Sequence, residues 1–336
     1  MRRSRSSARL LALVLGGVAV YGAGASRSLR AQAITQAQGA EFLLLPVGAR
    51  ATALGQAATA DGGTTEAIFW NPAGLAALTR GEFAVHHYNA FFGTGDAIAL
   101  AIHNASLGTF AIAAYLVNYG DLDLTARDGS GAPIGRISPR NLALSATYAT
   151  DVGAGIEIGL TYKLVQFRVD CSGDCTDVPG SVATTHAVDV GLRYTAAAVP
   201  LVIGVSLRNL GFPLQVNNSP QADPLPTRFS VGVSYLVVRP AAVRPQEQVD
   251  VRVLADVQGA FRRGQEAPVT LVGIESGVGD LIRLRGGYAF LDSDARGPSL
   301  GVGITIGRMA LDLAKVFFAN DIGEQEPFHV SFRAEF

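Results

Sequence analysis

Phe328-His329-Val330-Ser331-Phe332-Arg333-Ala334-Glu335-Phe336 sets an apolar side chain at every even position and a polar one at every odd position, and it stops on an aromatic ring. Side chains of a pleated strand point alternately to its two faces, so one face of this segment suits hydrocarbon and the other suits water. A strand edge left open in hydrocarbon strands its backbone N–H and C=O groups without partners, which only a closed barrel avoids. The ending therefore predicts an all-β protein, a transmembrane antiparallel β-barrel. Phe328, Phe332 and Phe336, on the apolar face of the terminal strand, have the form of the signal that addresses a barrel to the assembly machinery of a bacterial outer membrane.

The other end of the chain agrees. Arg2, Arg3, Arg5 and Arg9 precede an apolar stretch from Leu10 to Val20 and the small residues Gly22-Ala23-Gly24-Ala25. This order reads as a secretory signal peptide over residues 1–25, with Ala31-Gln32-Ala33 offering a second cleavage site as late as 33. The apolar stretch is short of the ~20 residues a spanning helix needs. No cysteine stands near either site to carry a lipid.

Composition points the same way. The chain is 49% hydrophobic with a mean hydropathy of +0.27, yet past the leader no apolar run approaches the length of a membrane helix, because the apolar residues are dispersed by alternation. A charged fraction of 16% is low for a soluble surface, and 39 glycines suit tight turns and close packing in strands. The net charge of −1 becomes −5 once the four leader arginines are gone, and no basic block remains. Nucleic acid is not an expected partner; outer-membrane lipid is.

Fourteen segments alternate in this way, over about 82–90, 96–105, 108–119, 140–150, 155–169, 182–195, 200–210, 227–238, 248–260, 268–277, 280–291, 298–306, 308–318 and 327–336. The clearest is Ile156-Glu157-Ile158-Gly159-Leu160-Thr161-Tyr162-Lys163-Leu164. Two longer connections, 121–139 and 211–226, are rich in turn residues and prolines and are expected to lie outside the sheet.

Chemistry-bearing residues do not assemble into a catalytic set. His86 and His87 point to opposite faces of one strand, and His186 and Asp189 do the same on another, so no enzyme is expected. Glu157, Lys163, Asp189, Arg193, Arg208, Asp250, Arg252, Asp256 and Glu275 share the polar phase of their strands and predict a charge network facing the lumen, serving either interior solvation or substrate recognition. Cys171-Ser172-Gly173-Asp174-Cys175 joins two strong strands in an exported chain, which favours a loop disulfide over free thiols or a metal ligand pair. Asp170, Asp174 and Asp177 lack the ordered spacing of a calcium loop. Neither cofactor nor metal is expected.

Ahead of the strands stand Phe42-Leu43-Leu44-Leu45-Pro46-Val47-Gly48-Ala49-Arg50-Ala51 and Trp70-Asn71-Pro72-Ala73-Gly74-Leu75. Asn71 is a good N-cap, Pro72 suits the first helical position, and Ala73 to Leu78 make a short helix. Both stretches, with Leu207-Arg208-Asn209-Leu210-Gly211, Pro224-Leu225-Pro226-Thr227-Arg228 and Leu284-Arg285-Gly286-Gly287-Tyr288 downstream, resemble the PorV/PorQ family of FadL-like outer-membrane barrels. The resemblance implies that residues 34–79 form a plug, or hatch, with short helices inside a barrel of residues 80–336. A lumen of about 14 strands is wide enough to need such filling. The same resemblance implies an accessory role in type IX protein secretion and cell-surface attachment, with secretion components and secreted cargo as partners. FadL-like uptake of hydrophobic small molecules, with a ligand in the lumen, is the alternative it leaves open.

Overall fold

The computed structural model describes residues 38–90, 92–126, 132–175, 180–215, 222–238, 249–261, 267–279, 281–291, 296–317 and 326–336. The expected signal peptide and both its cleavage sites lie outside these residues, as does Asp177.

Seventeen strands are present among them: β1 Glu82–Ala90, β2 Gly93–Asn104, β3 Gly108–Asn118, β4 Leu122–Thr125, β5 Pro133–Gly153, β6 Ile156–Gly173, β7 Ser181–Thr195, β8 Leu201–Gly211, β9 Leu214–Gln215, β10 Ala222–Asp223, β11 Arg228–Val238, β12 Val249–Ala260, β13 Val269–Val278, β14 Ile282–Phe290, β15 Gly297–Ile306, β16 Met309–Val316 and β17 Phe328–Glu335. Fourteen of them form the wall. Each pairs antiparallel with its neighbours, β3 runs directly against β5, and the last strand returns to the first with His86 opposite Ser331 and Asn89 opposite Phe328. The ring is closed, so no wall strand keeps an open edge.

Alternation decides which way each strand faces. On β17, Phe328 and Phe332 are exposed on the outer face while His329 and Ser331 are buried within. On β6, Ile158, Leu160 and Tyr162 point outward while Thr161 and Lys163 are buried. Leu144, Ile274, Leu284 and Leu300 extend the exposed apolar band around the barrel.

The two long connections differ from expectation. Residues 121–139 do not leave the sheet: β5 begins at Pro133, and Leu122–Thr125 pairs with it from Ile137 back to Pro133. A membrane strand needs only about 9–11 residues, so β5, with 21, and β6, with 18, run well past that span. An antiparallel extension satisfies its own backbone groups and needs no apolar face, which is why alternation does not mark it. In 211–226, Gly211 completes β8, and β9 and β10 form a separate two-stranded ladder.

The segment ahead of the wall folds as short helical pieces: a 3-10 turn at Glu41–Leu44, α1 at Ala49–Ala53, α2 at Ala67–Trp70 and a 3-10 helix at Pro72–Ala77. Gly48 enters α1 at φ 93° and Gly55 leaves it at φ 63°, conformations open to a residue without Cβ. Asn71 caps the last helix, its side-chain oxygen accepting from the Ala73 N–H at 3.2 Å, with Pro72 at the first helical position.

This segment packs on the inner face of the wall. Ile68, Leu75 and Leu78 meet a bed of alanines, Ala84, Ala99, Ala101, Ala111, Ala113 and Ala149, whose small side chains let it lie close. Leu54 and Ala57 pack with Leu254, Leu271 and Ala289. Elsewhere the backbone itself touches the wall: a Cβ on Gly159, Gly204, Gly273 or Gly287 would overlap the backbone of Pro72, Thr59, Leu54 and Gly55 respectively, and one on Gly191 would overlap the Asn71 side chain.

Candidate functional site

The tight turns after β2, β5, β13 and β15 lie at the same end of the barrel as Phe336; the connections after β3, β6, β8, β12, β14 and β16 leave from the other. Toward that second end, above the N-terminal segment, is a cavity of about 600 Å³. Its floor comes from that segment, through Thr52, Gly55 and Gln56, and Leu44, Leu45 and Pro46 close one side. The wall contributes Tyr88, Ala90, Ala260, Val269, Ala289, Leu291 and Val316, with Arg228, Gln258, Ser299 and His329 as polar groups among them. A concave, mostly apolar space with a few polar groups is the usual form of a small-molecule site.

Below this cavity the lumen is filled by ion pairs. Glu82 meets Arg333 at 3.4 Å, Arg333 meets Asp312 at 2.9 Å, and Asp312 meets Arg285 at 2.6 Å. Arg285 bonds Glu275 at 2.6 Å, and Arg252 joins Glu275 to Asp61, both at 2.8 Å. Arg50 of α1 reaches Asp61 at 3.0 Å. Burial would raise the Asp61 carboxyl, but Arg252 and Arg50 beside it hold it below its ordinary value. Glu66 sits at the start of α1 and accepts from the Ala51 N–H at 3.0 Å; burial, with Asp312 nearby, pushes its carboxyl up to about 7.

On the opposite wall, Lys163 meets Asp189 at 2.6 Å and donates to the Asn209 side chain at 2.9 Å. Asn209, at φ 59°, makes a bulge against β7, its N–H bonded to Asp189 and its side-chain nitrogen to the Pro226 carbonyl. The stretches 207–211 and 224–228 thus meet in space. Arg208 donates to the Phe69 carbonyl at 2.8 Å and lies over the Trp70 ring. The Trp70 indole in turn donates to the Val47 carbonyl at 3.0 Å, which ties the two N-terminal motifs together. Asn71 also donates to the Thr59 and Leu192 carbonyls.

The ionisable residues on the polar phase face inward, and several of them meet the N-terminal segment. Arg252 holds Asp61, Arg193 binds Glu157 and the Ala60 carbonyl, Arg208 holds Phe69, and Asp256 accepts from the Thr59 N–H at 2.8 Å. Asp250 pairs within the wall, with Arg283. Buried charge needs a partner, and the N-terminal segment supplies many of them.

His86 and His87 lie on opposite faces of β1. His86 is buried on the Ser331 hydroxyl, which also accepts from the Ala49 N–H at the start of α1. His87 does pair with a carboxylate, Asp96 at 2.7 Å, directly across on β2 and on the outer face. That pair needs the strand register, which one strand read alone does not give. Cys171 and Cys175 are joined, with Cα atoms 6.2 Å apart, beside the far end of β5. No cluster of three metal-ligating side chains occurs among the described residues. Gln56 and Gln258 had no signal in the sequence, since nothing in a lone glutamine marks a cavity wall.

No curated protein sequence matches the chain. Among solved structures, the Ralstonia pickettii toluene transporter TbuX superposes with a TM-score of 0.58 at 14% identity, over 86% of this chain and 98% of that one. The CymD monoaromatic hydrocarbon channel gives 0.56 at 14%, over 87% and 98%. A Pseudomonas aeruginosa FadL homologue gives 0.51 at 11%, over 87% and 99%. At such identities the likeness is one of fold, a FadL-type barrel. The model of the uncharacterised protein family UPF0164 matches residues 17–242, and the chain belongs to that family.

Proposed function

We propose that this protein is an outer-membrane channel that admits hydrophobic small molecules, with residues 34–79 as the plug beneath the site where they bind. The observation that carries this reading is the cavity of about 600 Å³, apolar on most sides and floored by the N-terminal segment. Such a site takes a molecule out of water on the outer side, while the ion-paired layer below denies water and ions a straight path. The likeness of fold to a toluene transporter and a monoaromatic hydrocarbon channel supports the substrate class. The alternating terminal strand and the exposed apolar band support the location.

Uptake of radiolabelled toluene by cells expressing the protein tests the reading. Ala260 lines the cavity at the end of β12, and Ala260→Trp places an indole inside it. Expression should raise uptake several-fold, and the variant should return it to background at equal amounts of assembled barrel. Equal uptake by the two proteins would contradict the reading.

A second reading, an accessory of type IX secretion, is supported by the PorV/PorQ-like motifs and by the tall β4–β5–β6 extension, which offers a surface outside the membrane. Recovery of secreted cargo domains with the purified barrel, lost on shortening that extension, is its test.

A further inference from the structure

The arginines on the outward face of the tall β5–β6 extension are not all matched by acids. Arg136 stands across from Asp123 and pairs with it at 3.0 Å, and Arg168 donates from Nε to Asp170 at 2.7 Å. Arg140 has no such partner: its side chain is exposed and makes no hydrogen bond or ion pair among the described residues. The register instead sets it directly across from Arg168. Like charges opposite one another in an antiparallel pair work against the pairing, so this row of the ladder is held at a cost that the row of Arg136 and Asp123 does not carry.

The height of the two arginines on the wall suggests what offsets it. Arg140 lies 13 residues from Gly153 at the end of β5, and Arg168 lies 12 residues from Ile156 at the start of β6, both counted from the tight turn between these strands. A tilted membrane strand takes about 9–11 residues, so both guanidinium groups stand where the outward face has just left hydrocarbon. Below them that face is apolar and exposed, with Leu144 on β5 and Leu160 and Tyr162 on β6. Above them lies the pair of Arg136 and Asp123. Lipid phosphates occupy this boundary in a bilayer, and a guanidinium presents a planar fork of N–H donors that matches phosphate oxygens.

We infer that Arg140 and Arg168 form a binding site for the phosphate of an outer-leaflet lipid, whose acyl chains lie along the apolar face below. A phosphate between the two guanidinium groups replaces their repulsion with two charge-assisted contacts. Arg168 keeps its Asp170 bond, since that bond uses Nε and leaves the terminal nitrogens for a second acceptor. The acyl chains supply the second contact, so the site selects a lipid over a free anion, and the bound lipid fixes the depth of the barrel in the membrane.

The inference rests on the outer-membrane location in the proposed function, not on the cavity or its ligand. The detergent-solubilised full-length protein is incubated with equimolar lipid A, a diphosphorylated glycolipid, and phosphatidylcholine, whose phosphate is already balanced by its own cation. Native mass spectrometry reads the lipid retained. Lipid A should be retained about tenfold over phosphatidylcholine. The double variant Arg140→Gln with Arg168→Gln should bring that ratio toward one, with heat-modifiable mobility and toluene uptake as in the parent. Arg136→Gln removes a like charge farther from hydrocarbon and should leave the ratio within about twofold. Inorganic phosphate in large excess should not displace the lipid. Equal retention of the two lipids, a ratio that survives the double substitution, an equal fall in Arg136→Gln, or displacement by inorganic phosphate overturns the inference and leaves the proposed function standing. Failure of the protein to insert into lipid vesicles overturns both.

Discussion

At the scale of single residues, the burial of charge decides more than its position in a strand. Glu66 is the instructive case: it is 3% exposed, its two oxygens face the N–H groups of Arg50 and Ala51, and no cationic side chain forms an ion pair with it among the described residues. Asp312 and Arg333 face it from the wall and Arg50 from its own segment. Burial raises its carboxyl from 4.5 to about 7. A group raised on folding contributes stability that is complete below its unfolded value and is lost as pH rises through its folded value. Its share in holding residues 38–79 should therefore be full below about pH 4.5 and gone above about pH 7. Hydrogen-exchange protection factors of that segment, with the intrinsic rate at each pH divided out, should be higher at pH 5 than at pH 8, and Glu66→Gln should flatten the difference. A variant with the same pH slope would assign it elsewhere. Little of this was legible in the sequence, where Glu66 is one acid among many and its neighbour Asp312 stands 246 positions away.

At the scale of elements, alternation located the wall because each side chain there faces either hydrocarbon or a packed interior, and two solvents impose a period of two. All fourteen segments coincide with wall strands to within a few residues, apart from β5 and β6. Those two lengthen where water lies on both sides and the period has no cause, as at Pro133 to Pro139 with Arg136 among them. What alternation does not explain is glycine on the inner face, and there the contact with the N-terminal segment is the reason. Gly286 and Gly287 on β14 make a controlled pair. A Cβ at Gly287 would strike the Gly55 and Leu54 backbone, while one at Gly286 meets nothing nearer than Leu300 at 3.6 Å. Gly287→Val should cost about 1–3 kcal/mol through overpacking and make residues 38–79 susceptible to limited proteolysis. Gly286→Val should leave the cleavage rate near that of the parent. Equal cleavage of both variants would mean that the segment does not bear on this wall.

At the scale of the whole molecule, a closed wall and a filled lumen depend on each other. Wide barrels leave space that their own inward side chains do not fill, and here the inner face carries charges, glycines and alanines placed where the N-terminal segment meets them. The expectation of a plug rests in the sequence on family-like motifs; how the N-terminal segment is held was not legible there, since Asp61 and Arg252 are 191 residues apart and their pairing is a property of the closed ring. The central claim is that this segment closes the barrel below the binding cavity. Single-channel recording in planar bilayers tests it most directly, comparing the intact protein with one lacking residues 38–79 and shown by heat-modifiable mobility to have assembled. The account predicts near-zero conductance for the intact protein and large, long-lived openings for the truncated one; low and equal conductance from both would contradict it.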